Sequence, residues 1–174
     1  AGSDYQKIKQ INIGHPLRFS DIFRHTKELK LKGYICFSNA DIFFDQSLQN
    51  IFKSSLESTK MMFCQLRLNY ADGKSEPFCW EDGRSLRGNS QDAWIFHSNH
   101  TPKRLDRFDF NLGLPGADNK LAYELHQLKY NLRNDPFKIK THHVHRDTTP
   151  SRNSDKSKSV GPPYLLVYPA LPDE

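Results

Sequence analysis

One short segment limits what this chain can fold into more than its overall composition does. Tyr34-Ile35-Cys36-Phe37 is an unbroken apolar run, and Ser38, Asn39 and Asp41 follow it at once. An apolar run of strand length suits a strand buried on both faces. A carboxylate at the carboxyl end of such a strand stands where open α/β sheets bind ligands. The segment therefore predicts an interior strand that ends in a site.

The surrounding pattern extends this expectation. Ser20 to Leu31 reads as a helix, with Ser20 as a cap, Asp21 near its positive end and Gly33 as a stop. Gln46 to Ser58 reads as a second helix capped by Asp45, and Met61 to Leu68 as a strand. Tyr70 to Gln91 is polar and reads as a loop or an irregular hairpin. Asp92 to His97 reads as a short strand. Asp118 opens a helix in which Leu121, Ala122, Leu125 and Leu128 share one face. Phe137 to His145 reads as a strand. Residues 147–161 are rich in Ser, Thr, Lys and Asp and predict a mobile loop, and Tyr164 to Tyr168 predicts a final strand. Early strand–helix alternation implies crossovers. The expected fold class is α/β, one domain with a mixed, mostly parallel sheet flanked by helices.

With 174 residues, the chain fits a single domain with a real core. Ala1-Gly2-Ser3 reads as a cloning remnant, which leaves residues 4–174 for the domain. Net charge is +5 and the isoelectric point is near 9.1, which suits an anionic partner or simply a basic surface. No aromatic-basic signature of an RNA-binding sheet is present, so no nucleic-acid partner is expected. Cys36, Cys64 and Cys79 form no Cys-x-x-Cys and leave an odd count. That favours reduced thiols and a cytoplasmic location. No apolar run is long enough to span a bilayer.

Four groups of residues can carry chemistry. Asp41 can hold Mg²⁺ or Mn²⁺, which take carboxylate and water oxygens and bridge diphosphates; it can also merely end a strand. Thr141-His142-His143-Val144-His145 would place His143 and His145 on one face of a strand, with His142 on the other. Two such imidazoles can bind a divalent metal or be half-buried polar groups. Asp92 can act on an acceptor hydroxyl or bond to backbone at the strand entrance. Asp118 can cap its helix or accept a hydroxyl proton. No nucleophile elbow, zinc-protease motif, dinucleotide fingerprint or P-loop is present. Serine hydrolysis, hydride transfer and P-loop phosphoryl transfer therefore have no support.

Taken in order, Asn39-Ala40-Asp41-Ile42-Phe43-Phe44-Asp45, Ser90-Gln91-Asp92-Ala93-Trp94-Ile95-Phe96, Gly116-Ala117-Asp118-Asn119 and His143-Val144-His145 resemble a family of GT-A-like glycosyltransferases. The likeness runs from about Arg18 to Pro169 and includes the ending Pro162-Pro163-Tyr164-Leu165. It implies the nucleotide-diphospho-sugar transferase fold and a divalent metal, Mn²⁺ or Mg²⁺, on the diphosphate of a nucleotide-sugar donor. Asp41, His143 and His145 would be its ligands. Asp118 would be the base, Asp92 a second catalytic carboxylate, and Asn39, Gln91 and Asn119 would contact the donor. A glycan or protein would supply the acceptor hydroxyl. The motif at Asn39 lacks the first acid of the usual Asp-x-Asp. Little sequence precedes Ser20, which predicts a short or absent nucleotide-base-binding portion. The leading expectation is a metal-dependent glycosyltransferase. Its rivals are a non-catalytic glycan- or nucleotide-binding module, a metal-dependent phosphoesterase and a basic scaffold.

Overall fold

The apolar run at Tyr34 does form a strand, but at the edge of a sheet and not in its interior. A computed structural model describes residues 10–144 and 159–171. Helix α1, Phe19–Glu28, comes first. It starts one residue before the expected Ser20 cap, and the Asp21 carboxylate accepts the Arg18 backbone N–H at 3.0 Å. Strands β1, Tyr34–Ser38, and β2, Ile42–Phe44, follow. Gln46–Lys53 is a 3₁₀ helix, shorter than the expected helix. Asp45 caps it as expected, accepting the Ser47 N–H at 2.8 Å.

Strand β3 is Met61–Gln65, and β4, Leu68–Ala71, and β5, Lys74–Pro77, form a hairpin. Its turn residues Asp72 and Gly73 have φ of 49° and 78°, the left-handed conformations that a tight two-residue hairpin turn needs. The remaining elements are β6, Ala93–His97, α2, Ala117–Gln127, β7, Asn131–Arg133, and β8, Thr141–Val144.

These strands build two four-stranded sheets, ordered β1-β6-β3-β7 and β2-β8-β4-β5. Only β3–β7 and β4–β8 run parallel; the pairs β1–β6, β3–β6, β2–β8 and β4–β5 are antiparallel. This overturns the expectation of one mostly parallel sheet flanked by helices. Strand–helix alternation reveals that the chain crosses over, but not that a later strand will insert between two earlier ones. Here β6 returns from the long polar segment and separates β1 from β3. The turn at Asn39 also sends the chain out of the first sheet and into the second.

Both faces of the first sheet are covered, and alternate residues of β3 and β6 serve different cores. Met62, Cys64, Trp94 and Phe96 pack with Phe19 and Phe23 of α1 and Leu121 and Leu125 of α2. Met61, Phe63 and Ile95 pack with Ile51, Leu56 and Ile139. Aromatic rings dominate the first core. Phe37 stacks on Trp94 at 5.1 Å between centroids, and Phe23 meets Phe96 and Phe108 edge to face. That packing explains the apolar run in β1: Phe37 faces the core, although β1 is an edge strand and only half-buried.

Tyr164 to Tyr168 docks without forming a strand. The N–H groups of Leu165 and Val167 donate to the carbonyls of Asn119 and Gly88. Gly116, at φ 80°, caps α2, and a Cβ there would lie 2.9 Å from Tyr164 Oη. Most of the expected loop at 147–161 lies outside the described residues. No helix among the described residues is long and apolar enough to cross a membrane.

Phe96 is fully buried on β6, between the two strands that depend on it. Phe96→Ala should cost about 3–5 kcal/mol of stability. Urea unfolding followed by far-UV dichroism measures this; a loss below about 1 kcal/mol would show that the aromatic core is not the main support of the fold.

Candidate functional site

The polar end of β1 meets β8 through sheet two. Antiparallel pairing of β2 with β8 sets Ile42 opposite His143 and Phe44 opposite Thr141. The turn residue Asp41 precedes Ile42, and its carbonyl accepts the Val144 N–H at 3.0 Å. Asp41 Oδ2 then lies 2.9 Å from His143 Nε2, across 102 residues of sequence. His143 is largely buried and Asp41 about half exposed. The two side chains form a hydrogen bond, with the Asp41 carboxylate open to solvent and the imidazole sheltered.

The neighbouring histidine is held by a separate chain of hydrogen bonds. His142 Nε2 lies 3.0 Å from Asp45 Oδ2, and its Nδ1 lies 2.7 Å from Ser75 Oγ. Phe43 stacks on the ring at 4.8 Å. Burial pushes the Asp45 carboxyl up, but Ser47 and His142 outweigh it and hold its pKa at about 2. This cluster fastens β5, β8 and the entrance of the 3₁₀ helix together. His145 lies outside the described residues.

Asn39, Asp92 and Arg67 connect the turn to the first sheet. Asn39 Nδ2 donates to Asp92 Oδ1 at 2.7 Å, and the Asn39 N–H donates to the Asp92 carbonyl. Arg67 Nη1 sits 3.6 Å from Asp92 Oδ2. Burial pushes the Asp92 pKa above the usual aspartate value against the opposing pull of Arg67, Asn39 and His143, and the Asp41 charge adds to the upward push. Sequence reasoning missed Arg67, although a signal was there. A lone cation inside the apolar run Met61 to Leu68 needs a carboxylate partner to be buried.

Asp118 stands in the first turn of α2. Its two oxygens accept the N–H groups of Gln91 at 3.1 Å and Asn119 at 2.9 Å. The side chain thus joins the helix start to the segment that leads into β6. Burial raises its pKa to about 6 against those two hydrogen bonds, and the charge of Asp92 adds to the rise.

Asp118, Asp92, Asn39 and Gln91 border one cleft of about 280 Å³, walled by Phe19 and Trp94. Around it, Asn89 Oδ1, Gln91 Oε1, Asp92 Oδ2, Asn119 Oδ1 and Trp94 Nε1 have no hydrogen-bond partner among the described residues. Two of the amides have a fixed orientation, because Gln91 Nε2 and Asn119 Nδ2 donate to backbone carbonyls, which can only accept. Buried polar atoms are rarely left unpaired, and here they concentrate beside the two carboxylates. Of the residues expected from the sequence, Asp41 meets His143, Asn39 meets Asp92, and Gln91 and Asn119 meet Asp118.

Among the described residues, no three His, Cys, Asp or Glu side chains gather as a metal cage. Asp41 and His143 nevertheless suit two adjacent positions on a small cation. Their separation is that of a hydrogen bond; octahedral bonds of about 2.1 Å would space neighbouring ligand atoms about as far apart. Such a pair fits a cation shared with substrate and water, and does not fit a structural zinc site.

No known protein family, curated protein or solved structure matches this chain.

Asp118 couples the site to stability. An unfolded aspartate titrates near ~3.9, and in the fold this one titrates at about 6. Between those values the native state binds more protons than the unfolded chain. The group's stabilising contribution is therefore full below about pH 4 and is lost as pH rises through about 6, by up to about 3 kcal/mol. Asp118→Asn should flatten this part of the stability-versus-pH curve and leave the protein no less stable at pH 8. Urea unfolding from pH 4 to 8 measures it; an unchanged slope in the variant would rule out Asp118 as the source.

Proposed function

We propose that this chain is a glycosyltransferase that moves a sugar from a nucleotide-sugar donor to a hydroxyl acceptor with the help of Mn²⁺ or Mg²⁺. The observation that carries the reading is the meeting of Asp41 and His143, at 2.9 Å, beside a cleft that holds Asp118. The family resemblance of the four motifs supports the same reading.

Each residue has a chemical task on this reading. Asp41 and His143 would hold the cation, which would supply positive charge to offset that of a leaving diphosphate. Asn39 fixes the turn that carries Asp41 through its hydrogen bond to Asp92. Asp118 accepts the acceptor hydroxyl's proton. Its pKa of about 6 leaves it ionised at neutral pH and still basic enough to take a proton there. Gln91 and Asn119 orient that carboxylate with their N–H groups. Asp92, restrained by Asn39 and Arg67, offers an oxygen to a sugar hydroxyl. Phe19 and Trp94 keep bulk water from one side of the cleft.

Two carboxylates, Asp92 and Asp118, give the cleft acceptors and negative charge. That suits hydroxyl donors on a glycan. The second reading, a glycan- or nucleotide-binding module without turnover, draws support from the lack of a third metal ligand beside Asp41 and His143 among the described residues.

Calorimetry with UDP- and GDP-sugars, with and without Mn²⁺, tests the proposal. Metal-dependent donor binding is expected, and Asp41→Ala and His143→Ala should each reduce it by at least tenfold while preserving the fold. Asp118→Asn should leave donor binding intact, lower turnover about 10²–10⁴-fold and remove a rise in kcat/KM centred near pH 6. Metal-independent binding, or donor affinity equal to wild type in both metal-ligand variants, would overturn the assignment. Donor or glycan binding without any sugar transfer would favour the binding module.

A further inference from the structure

The polar segment between β5 and β6 builds, together with Arg67, an alternating stack of cations and rings. Arg67 lies over the Phe78 ring at 4.1 Å from its centroid, and Arg87 lies 4.5 Å from the centroids of both Phe78 and Trp80. Such contacts draw a guanidinium onto the electron-rich face of a ring. At the inner end, Arg67 also meets Asp92 of the cleft, with Nη1 3.6 Å from Oδ2. Trp80 forms the outer end. It is 38% exposed, whereas the other tryptophan, Trp94, is 2% exposed. No further ring or cation among the described residues stacks on Trp80, so indole surface stays open to solvent where the stack ends.

Backbone geometry holds this outer ring in place. The Trp80 N–H donates to the Ser85 carbonyl at 2.8 Å, and the Trp80 carbonyl accepts the Gly83 N–H at 2.9 Å. Asp82 Oδ1 accepts the N–H groups of Arg84 and Ser85 at 2.9 Å each. Arg87 Nε donates to the Cys79 carbonyl at 2.9 Å. From Arg87 the chain passes through Gly88 to Asn89, Ser90, Gln91 and Asp92, which border the cleft. The stack and the cleft are thus joined twice, through the chain and through the contact of Arg67 with Asp92. A ring already held this way gives up little conformational freedom when a ligand covers it.

The surroundings of Trp80 select among ligands. Glu81 and Asp82 balance Arg84 and Arg87, so the turn has no excess of either charge, and an ionic ligand gains little there. Glu81 and Arg84 are exposed and supply hydrogen-bond acceptors and donors. A sugar matches this combination: its C–H face covers an indole, and its hydroxyls reach polar groups at the edge. We propose that Trp80 is a stacking platform for a neutral oligosaccharide acceptor, holding a sugar ring other than the one whose hydroxyl enters the cleft. The proposal rests on the sugar-transfer reading and narrows it, because the acceptor is then a glycan chain and not a lone sugar or a bare protein hydroxyl.

An array of immobilised neutral oligosaccharides with their component monosaccharides, probed with the whole chain in EDTA and without donor, tests the platform. Oligosaccharide binding is expected, with the monosaccharides roughly tenfold weaker or more. In calorimetry with the tightest oligosaccharide, Trp80→Ala should weaken binding about tenfold or more and Trp80→Phe should recover part of the loss, both with unchanged melting temperature. Phe52→Ala removes another exposed ring, one that does not border the cleft, and should leave binding unaltered. In the wild-type chain the same oligosaccharide should shield Trp80 fluorescence from acrylamide, a readout that needs no substitution. Binding of UDP- and GDP-sugars with Mn²⁺ is read in separate titrations, so failure of the donor site and failure of the platform are distinguishable. Absence of oligosaccharide binding, equal affinity for the monosaccharides, or wild-type affinity in Trp80→Ala would overturn the inference.

Discussion

The insertion of β6 between β1 and β3 is the constraint on which the rest of the structure depends. All five of its residues are buried, and its two faces feed two different cores. Antiparallel ladders on both sides satisfy its backbone groups, which an isolated apolar strand could not do for itself. Because β6 begins at Ala93, Asp92 emerges where the ladders end. From there it binds Asn39 on one side, while its N–H donates to the Gln65 carbonyl on the other. The cleft is the open end of this inserted strand.

Sheet two adds what the first sheet cannot. Its strands are short and its register is set by β2 against β8, with β4 alongside. A slip of one residue would move His143 to the other face and exchange it with His142. The clasp of His142 by Asp45, Ser75 and Phe43 resists such a slip. One histidine thus anchors the register that presents the other to Asp41. The two adjacent imidazoles do different work because strand alternation gives them different neighbours.

The carboxylates of the cleft carry a stability cost. Asp92 and Asp118 are both held above their ordinary pKa by burial; the charge of Asp41 adds to the rise at Asp92, and that of Asp92 to the rise at Asp118. A protein selected for stability alone would place neutral groups there, whereas a buried carboxylate with a raised pKa, such as Asp118, suits proton transfer. Unpaired acceptors gathered around the same cleft point the same way.

Much of the local structure was legible in the residues. The apolar run at Tyr34, the cap at Asp45, the strand at Ala93 and the helix after Gly116 all follow from short-range patterning, which acts within a few residues of its cause. Residue chemistry likewise marked Asp41, His143, Asp92 and Asp118, since carboxylates and imidazoles at strand ends and helix starts are few in so aromatic a chain. Tertiary structure decided the order and direction of the strands, the edge position of β1, the partners of His142 and the burial of Arg67 against Asp92. Those outcomes rest on contacts between segments tens of residues apart. Their free energy depends on which faces can be covered together, and no local period in the sequence encodes that. The meeting of Asp41 with His143 belongs to both levels: the sequence supplied the carboxylate and the imidazole, and only the pairing of β2 with β8 brought them within 2.9 Å.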